Sequence, residues 1–144
     1  MAVDQASPLV AYLNAGDSED YLALRKMLTL DVVTHAAGGS TLIGLDAQET
    51  SWKTAHKGLS QLRHHVVELI QGSSVVAARV LVSGVHTGSF LGVPPTGGMI
   101  RVDQALFARI ENEQIAELWE IVDTGSGLRQ LGVLGNQALG LDED

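Results

Sequence analysis

Ile100-Arg101-Val102-Asp103-Gln104-Ala105-Leu106-Phe107-Ala108-Arg109-Ile110, a turn at Asn112-Glu113, then Gln114-Ile115-Ala116-Glu117-Leu118-Trp119-Glu120-Ile121-Val122-Asp123 reads as two strands joined by a tight hairpin. Successive strand side chains point to opposite faces. Ile100, Val102, Gln104, Leu106 and Ala108 therefore share one face of the first strand. On the second, alternation groups Ile115, Glu117, Trp119, Ile121 and Asp123. Asn tolerates the left-handed backbone that such a turn requires.

Moving outward from the hairpin, Val75 to Thr87 predicts a long strand, and His65 to Ile70 another, turned at Gln71-Gly72-Ser73. Gly88 to Gly98 is a loop with two prolines. Before His64 the pattern changes from a period of two to a helical one. Ser7 caps and Pro8 opens a helix ending at Gly16. Asp17 or Ser18 caps a second, with Tyr21, Leu22, Leu24 and Leu28 on one face. Leu30 to His35 is a short strand. A third helix opens at Asp46, with Glu49 completing a capping box, and carries Trp52, Ala55, His56 and Leu59. Leu128 to Leu131 begins a short closing helix. Helices followed by antiparallel strands spell an α+β fold, with the N-terminal helices closing the concave face of a curved, mostly antiparallel sheet.

The 144 residues suit one domain, expected over 1–135, with an acidic and loose tail at 136–144. A net charge of −8 with only 9 basic residues, scattered along the chain, argues against nucleic acid. The chain has no cysteine, which removes disulfides, thiolate metal sites and cysteine nucleophiles. No stretch of apolar residues is long enough to span a membrane, and Met1 to Asp20 lacks the pattern of a signal peptide, so a cytoplasmic location is expected. Five histidines occur without an H-x-H or H-E-x-x-H spacing, so no metal site is expected. No phosphate loop or dinucleotide fingerprint is present, and no cofactor is expected.

Among residues able to do chemistry, Asp123 ranks first. Beside Trp119 and Ile121 on an apolar face its carboxylate would lose water, and desolvation favours the protonated form. A general acid/base near neutral pH needs that state. The competing reading is an Asp that caps the helix beginning near Gly125 or Ser126. His86 shares a face with Val80, Val82 and Gly84, and a neutral imidazole can hold an oxygen or carry a proton. His35 is a second such candidate; His56, His64 and His65 are weaker. His64 and His65 are adjacent and must face opposite ways. Gln104, alone on an apolar stripe, needs a partner in substrate or backbone. Arg101 and Asp103 alternate away from that stripe and read as a surface ion pair.

Three motifs then come together. Gly84-Val85-His86-Thr87-Gly88-Ser89-Phe90-Leu91-Gly92-Val93-Pro94-Pro95-Thr96-Gly97 resembles G-T-H-x-G-x-F-x-G-x-x-P-T-G. Ile115 to Asp123 resembles I-x-E-x-W-x-x-x-D, and Leu128-Arg129-Gln130-Leu131-Gly132 resembles L-x-Q-L-G. In this order they resemble the SnoaL-like polyketide cyclases of the nuclear transport factor 2-like superfamily. Two departures stand out: Asn112-Glu113-Gln114 replaces the usual Asp-Gly-Lys turn, and Leu118 replaces a His before the Trp.

The resemblance implies a cone-like α+β barrel and a cofactor-independent intramolecular aldol ring closure on a hydrophobic polyketide-like carbonyl compound. Asp123 would be the acid/base, and His35, His86, Gln104 and Trp119 would reach the substrate. It also implies a homodimer through the convex face of the sheet, consistent with the apolar character of both faces of Val75 to Val85. Two other functions share the scaffold. Epoxide hydrolysis or ring opening would place an Arg beside Asp123, and a non-catalytic small-molecule binder would need neither.

Overall fold

The computed structural model of the chain describes residues 3–133, so the tail expected at 136–144 lies outside the described residues. The elements run α1 (Pro8–Asp17), α2 (Tyr21–Lys26), β1 (Leu28–His35), β2 (Thr41–Ile43), α3 (Leu45–Gly58), β3 (Leu59–Gln71), β4 (Val75–His86), β5 (Met99–Glu111), β6 (Gln114–Val122) and α4 (Thr124–Gln130). Six strands form one curved, unclosed sheet in the order β2-β1-β6-β5-β4-β3. Every pairing is antiparallel except β1 with β6. The α+β architecture expected from the sequence is the one observed. The extra strand β2 pairs with β1 through Val33–Ile43 and His35–Thr41.

The core lies between the concave face and the helices. Leu9, Tyr12 and Leu13 of α1 and Leu24 of α2 pack with Val80, Leu106 and Leu118 from the sheet, all nearly or fully buried. A polar chain crosses this core. Thr34 Oγ1 donates to Gln48 Oε1 at 2.6 Å, and the Gln48 amide and Trp52 Nε1 both donate to the Tyr12 hydroxyl. Buried polar groups are tolerated when each finds such a partner.

Helix boundaries differ from expectation in instructive ways. Gly16 does not end α1 but lies inside it, where a Cβ would stand 2.4 Å from the Trp52 ring. Asp20, not Asp17 or Ser18, caps α2, accepting from Ala23 N at 3.1 Å. Gly44 precedes α3, so Asp46 and Glu49 form no capping box; they clasp Arg25 at 3.0 and 3.1 Å. Asn112 and Glu113 both adopt positive φ, 51° and 65°, as a two-residue hairpin turn demands.

Candidate active site

A pocket of about 170 Å³ opens between the concave face, α3 and the start of α4. Leu59, Leu62, Val82, Ile100, Val102 and Phe90 supply apolar wall. His64, Gln104, Glu120, Asp123 and Thr124 bring the polar groups. No arginine or lysine lines it among the described residues, and no group of three metal-ligating side chains gathers anywhere among them.

Asp123 follows the last residue of β6, at φ −76° and ψ 73°, and its carboxylate accepts from Ser126 N at 3.0 Å as the N-cap of α4. It is exposed, at the pocket's edge. The burial expected for it is therefore absent, and the capping role is present. Its place in the pocket comes from the chain turning into α4, not from strand alternation. Gln104 is 6% exposed, and its Oε1 has no hydrogen-bond partner among the described residues. A ligand hydroxyl would supply one.

The other expected residues lie elsewhere. Trp119 pairs across the sheet with Phe107 on the outer face and stacks on His35, ring centroids 5.2 Å apart. His35 Nε2 and Glu117 Oε2 are 2.7 Å apart, and Arg109 reaches the other oxygen of that carboxylate. The His35 hydrogen bond is the main reason the Glu117 pKa is lowered. The cause of the misplacement is one residue. The turn pairs Glu111 with Gln114 and Ile110 with Ile115, but Arg109 then faces Glu117. Ala116 is the extra residue of a bulge, and a bulge of one exchanges the two faces of everything beyond it. Leu118, Glu120 and Val122 turn inward in place of Glu117, Trp119 and Ile121, opposite Ala108, Leu106 and Gln104.

His86 is fully buried but serves the loop. Thr96 N donates to its Nδ1 at 3.2 Å, so that nitrogen is an acceptor in the neutral ring and Nε2 carries the hydrogen donated to Val93 O at 3.2 Å. Gly88 packs the start of the loop against the end of α3, where a Cβ would lie 2.0 Å from Lys57 O. The motif around 84–97 thus encodes loop closure over the pocket wall at Phe90.

Two titratable groups that the sequence reading ranked low or passed over do reach the pocket. Glu120 is half-buried in it, and desolvation pushes its pKa up, opposed by the charge of His64. His64 lies opposite Val82, with Nδ1 2.6 Å from Asp17 Oδ1, while Asp17 Oδ2 accepts the His64 backbone N–H at 2.7 Å. Both side chains are close to nine-tenths buried, at 9% and 10% exposure. The register shift between Ser60 and Arg63, where Gln61 adopts φ 56°, aims His64 rather than His65 inward.

Fold and site together define a cone-shaped protein of the nuclear transport factor 2-like class, with an apolar pocket that bears carboxylates. The family model for SnoaL-like polyketide cyclases matches residues 8–131, and the chain belongs to that family. Among solved structures it is similar to IdmH of Streptomyces antibioticus, a proposed polyketide cyclase: 26% identity, 91% of this chain and 100% of that one covered, TM-score 0.80. It shares its fold with AclR of Streptomyces galilaeus, a proposed hydroxylase, at 20% identity, 92% and 98% coverage and TM-score 0.78. A SnoaL-like protein from Jannaschia, a proposed polyketide cyclase, aligns at 18% identity, 89% and 91% coverage and TM-score 0.81. No curated protein sequence matches the chain. No helix among the described residues is long and apolar enough to cross a membrane.

Proposed function

We propose that this protein closes a ring in a polyketide-like carbonyl compound by a cofactor-independent, intramolecular aldol reaction, with Asp123 taking the α-proton. The observation that carries the reading is the pocket: an apolar enclosure into which Gln104 presents an unpartnered amide oxygen, with Asp123 at its edge. Apolar walls hold a mostly carbon chain folded on itself, which converts closure into a positioned unimolecular step. The enolate is delocalised within the substrate, so the protein has to supply only proton transfer and orientation. A cavity of about 170 Å³ has room for one ring or one end of a chain, with Asp123 in its lining. The arginine that would favour epoxide opening is missing from the pocket lining among the described residues.

We also assign a homodimer to this reading. Met99, Phe107 and Ile121 stand 68%, 41% and 60% exposed on the outer side of the sheet, and a second copy would cover them. The test of the activity is incubation with tethered 1,3-diketones and β-keto esters. An aldol closure is an isomerisation, so the product keeps its mass and is read by NMR. Ring closure by the wild-type protein and its loss in Asp123→Asn is the expected result. Equal rates in the two proteins would remove Asp123 from the chemistry.

A further inference from the structure

We propose that Asp17, His64 and Glu120 form a proton relay, in which Glu120 is a second acid/base inside the pocket and His64, oriented by Asp17, connects it to solvent. The inference rests on the ring-closure reading for its chemistry but not for its geometry. His64 lines the apolar pocket and also an outer groove of about 880 Å³ between α1 and β3, where Asp17, His56 and His65 are further walls. His64 and Leu62 thus border both cavities. Its Nδ1 faces a carboxylate, which can only accept, so the neutral ring carries its hydrogen on Nδ1 and keeps a lone pair on Nε2. Nε2 has no protein partner among the described residues. The ring is held against Trp52, with centroids 5.0 Å apart, and its backbone N–H is tied to the same Asp17. A triad in which a carboxylate orients an imidazole, whose far nitrogen is free, is a proton-transfer arrangement.

Asp17 is free for this role because Asp20 takes the cap of α2. Glu120 has the matching environment. Glu120 faces Leu106 of β5 across the sheet and shares the pocket lining with His64 of β3 and Gln104 of β5, and its charge also acts on Tyr12 of α1. Helix α3 adds Ala55, while Trp52 stands against the His64 ring with His56 on a further side of it, and Asp123 lies three residues along the chain. Among the described residues His64 is the one cation-forming side chain of the lining.

The chemistry needs two proton positions. In the closure, the electron pair of the α C–H bond becomes the new C–C bond and the carbonyl π pair moves onto oxygen. Asp123 takes the α-proton. Protonated Glu120 gives one to the nascent alkoxide. His64, held by Asp17 as it charges, gives Glu120 a proton from Nε2 and is reprotonated there from water, and Asp123 releases its own at the exposed edge. Protons in equal protons out, and no oxidant or cofactor enters.

The test uses the full-length protein with no ligand, then one small probe. Carboxyl ¹³C and imidazole ¹⁵N NMR should find neutral His64 protonated on Nδ1. Glu120 should titrate above the ordinary glutamate range. His64→Gln should raise the Glu120 midpoint further, and Asp17→Asn should mix the His64 tautomers. The probe is 5-nitrobenzisoxazole, whose C–H loss and N–O cleavage to a phenolate are driven by a desolvated carboxylate. Wild-type protein should open it faster than free acetate, Glu120→Gln should lose about 10²-fold, and His64→Gln should shift the pH midpoint of the rate along with that of Glu120. A neutral His64 protonated on Nε2, a Glu120 midpoint indifferent to His64→Gln, or probe turnover no better than acetate would overturn the relay. Those results would leave ring closure by Asp123 standing. A Glu120 midpoint that follows His64→Gln in a protein that closes no ring would overturn the cyclase reading and leave the relay.

Discussion

At Asp123 a single carboxylate meets two demands: it caps α4 through Ser126 N and borders the pocket. Asn is also a good N-cap. Asp123→Asn should therefore keep the melting temperature while ring-closing turnover drops by roughly 10²–10⁴-fold, so that paired thermal melts and kinetics separate the two roles. Glu120 has no such structural use, and its ionisation opposes folding. Its pKa is raised in the folded protein by desolvation. Below about pH 4, where the carboxyl is protonated folded or unfolded, wild type and Glu120→Gln should be equally stable. As pH rises through the folded midpoint the wild type loses that stability and the Gln variant does not. Melting temperatures across pH 4 to 8 should diverge by a few degrees in favour of the variant, and parallel curves would show that Glu120 is not desolvated.

Among the elements, the hairpin turn and the 87–98 loop set the shape of the site. Glu113 holds φ 65°, a left-handed conformation that costs a residue with a Cβ about 1–2 kcal/mol. Glu113→Gly should stabilise the fold by about 0.5–1 kcal/mol, the strain relieved less the extra freedom of an unfolded glycine, measurable by urea titration. In the loop, His86 links Thr96 and Val93 from the end of β4. His86→Ala would strand both partners and open the space beneath Phe90, at a cost of about 1–3 kcal/mol. Hydrogen exchange of the Val93 and Thr96 amides should rise while that of the β4–β5 ladder stays slow.

At the scale of the molecule, a sheet that is covered on its concave side leaves Met99, Phe107 and Ile121 exposed on the other. Proximity of Trp119 and His35 to that face makes them interface residues in the proposed dimer. Phe107→Asp with Ile121→Asp should give a folded monomer by light scattering at micromolar concentration. A wild type that is already monomeric would remove the dimer and leave the pocket unaffected, since its lining comes from one chain.

The switch of period near His64, the apolar stripe Ile100 to Ala108, and the three motifs made the α+β class, the mostly antiparallel sheet and the family legible in the amino-acid order, because these are local patterns that short-range geometry enforces. The candidate site was half legible. Gln104 sat on a stripe whose inward face was unambiguous, and Asp123 came from a motif. Trp119 and Glu120 exchanged places because Ala116 bulges, and His64 turned inward because β3 shifts register near Gln61. A bulge depends on cross-strand pairing over many residues and leaves almost no trace in the period of one strand. The same holds for Asp17 and His64, 47 positions apart: their hydrogen bond exists only once α1 has packed against β3, so no reading along the chain could have brought the two together.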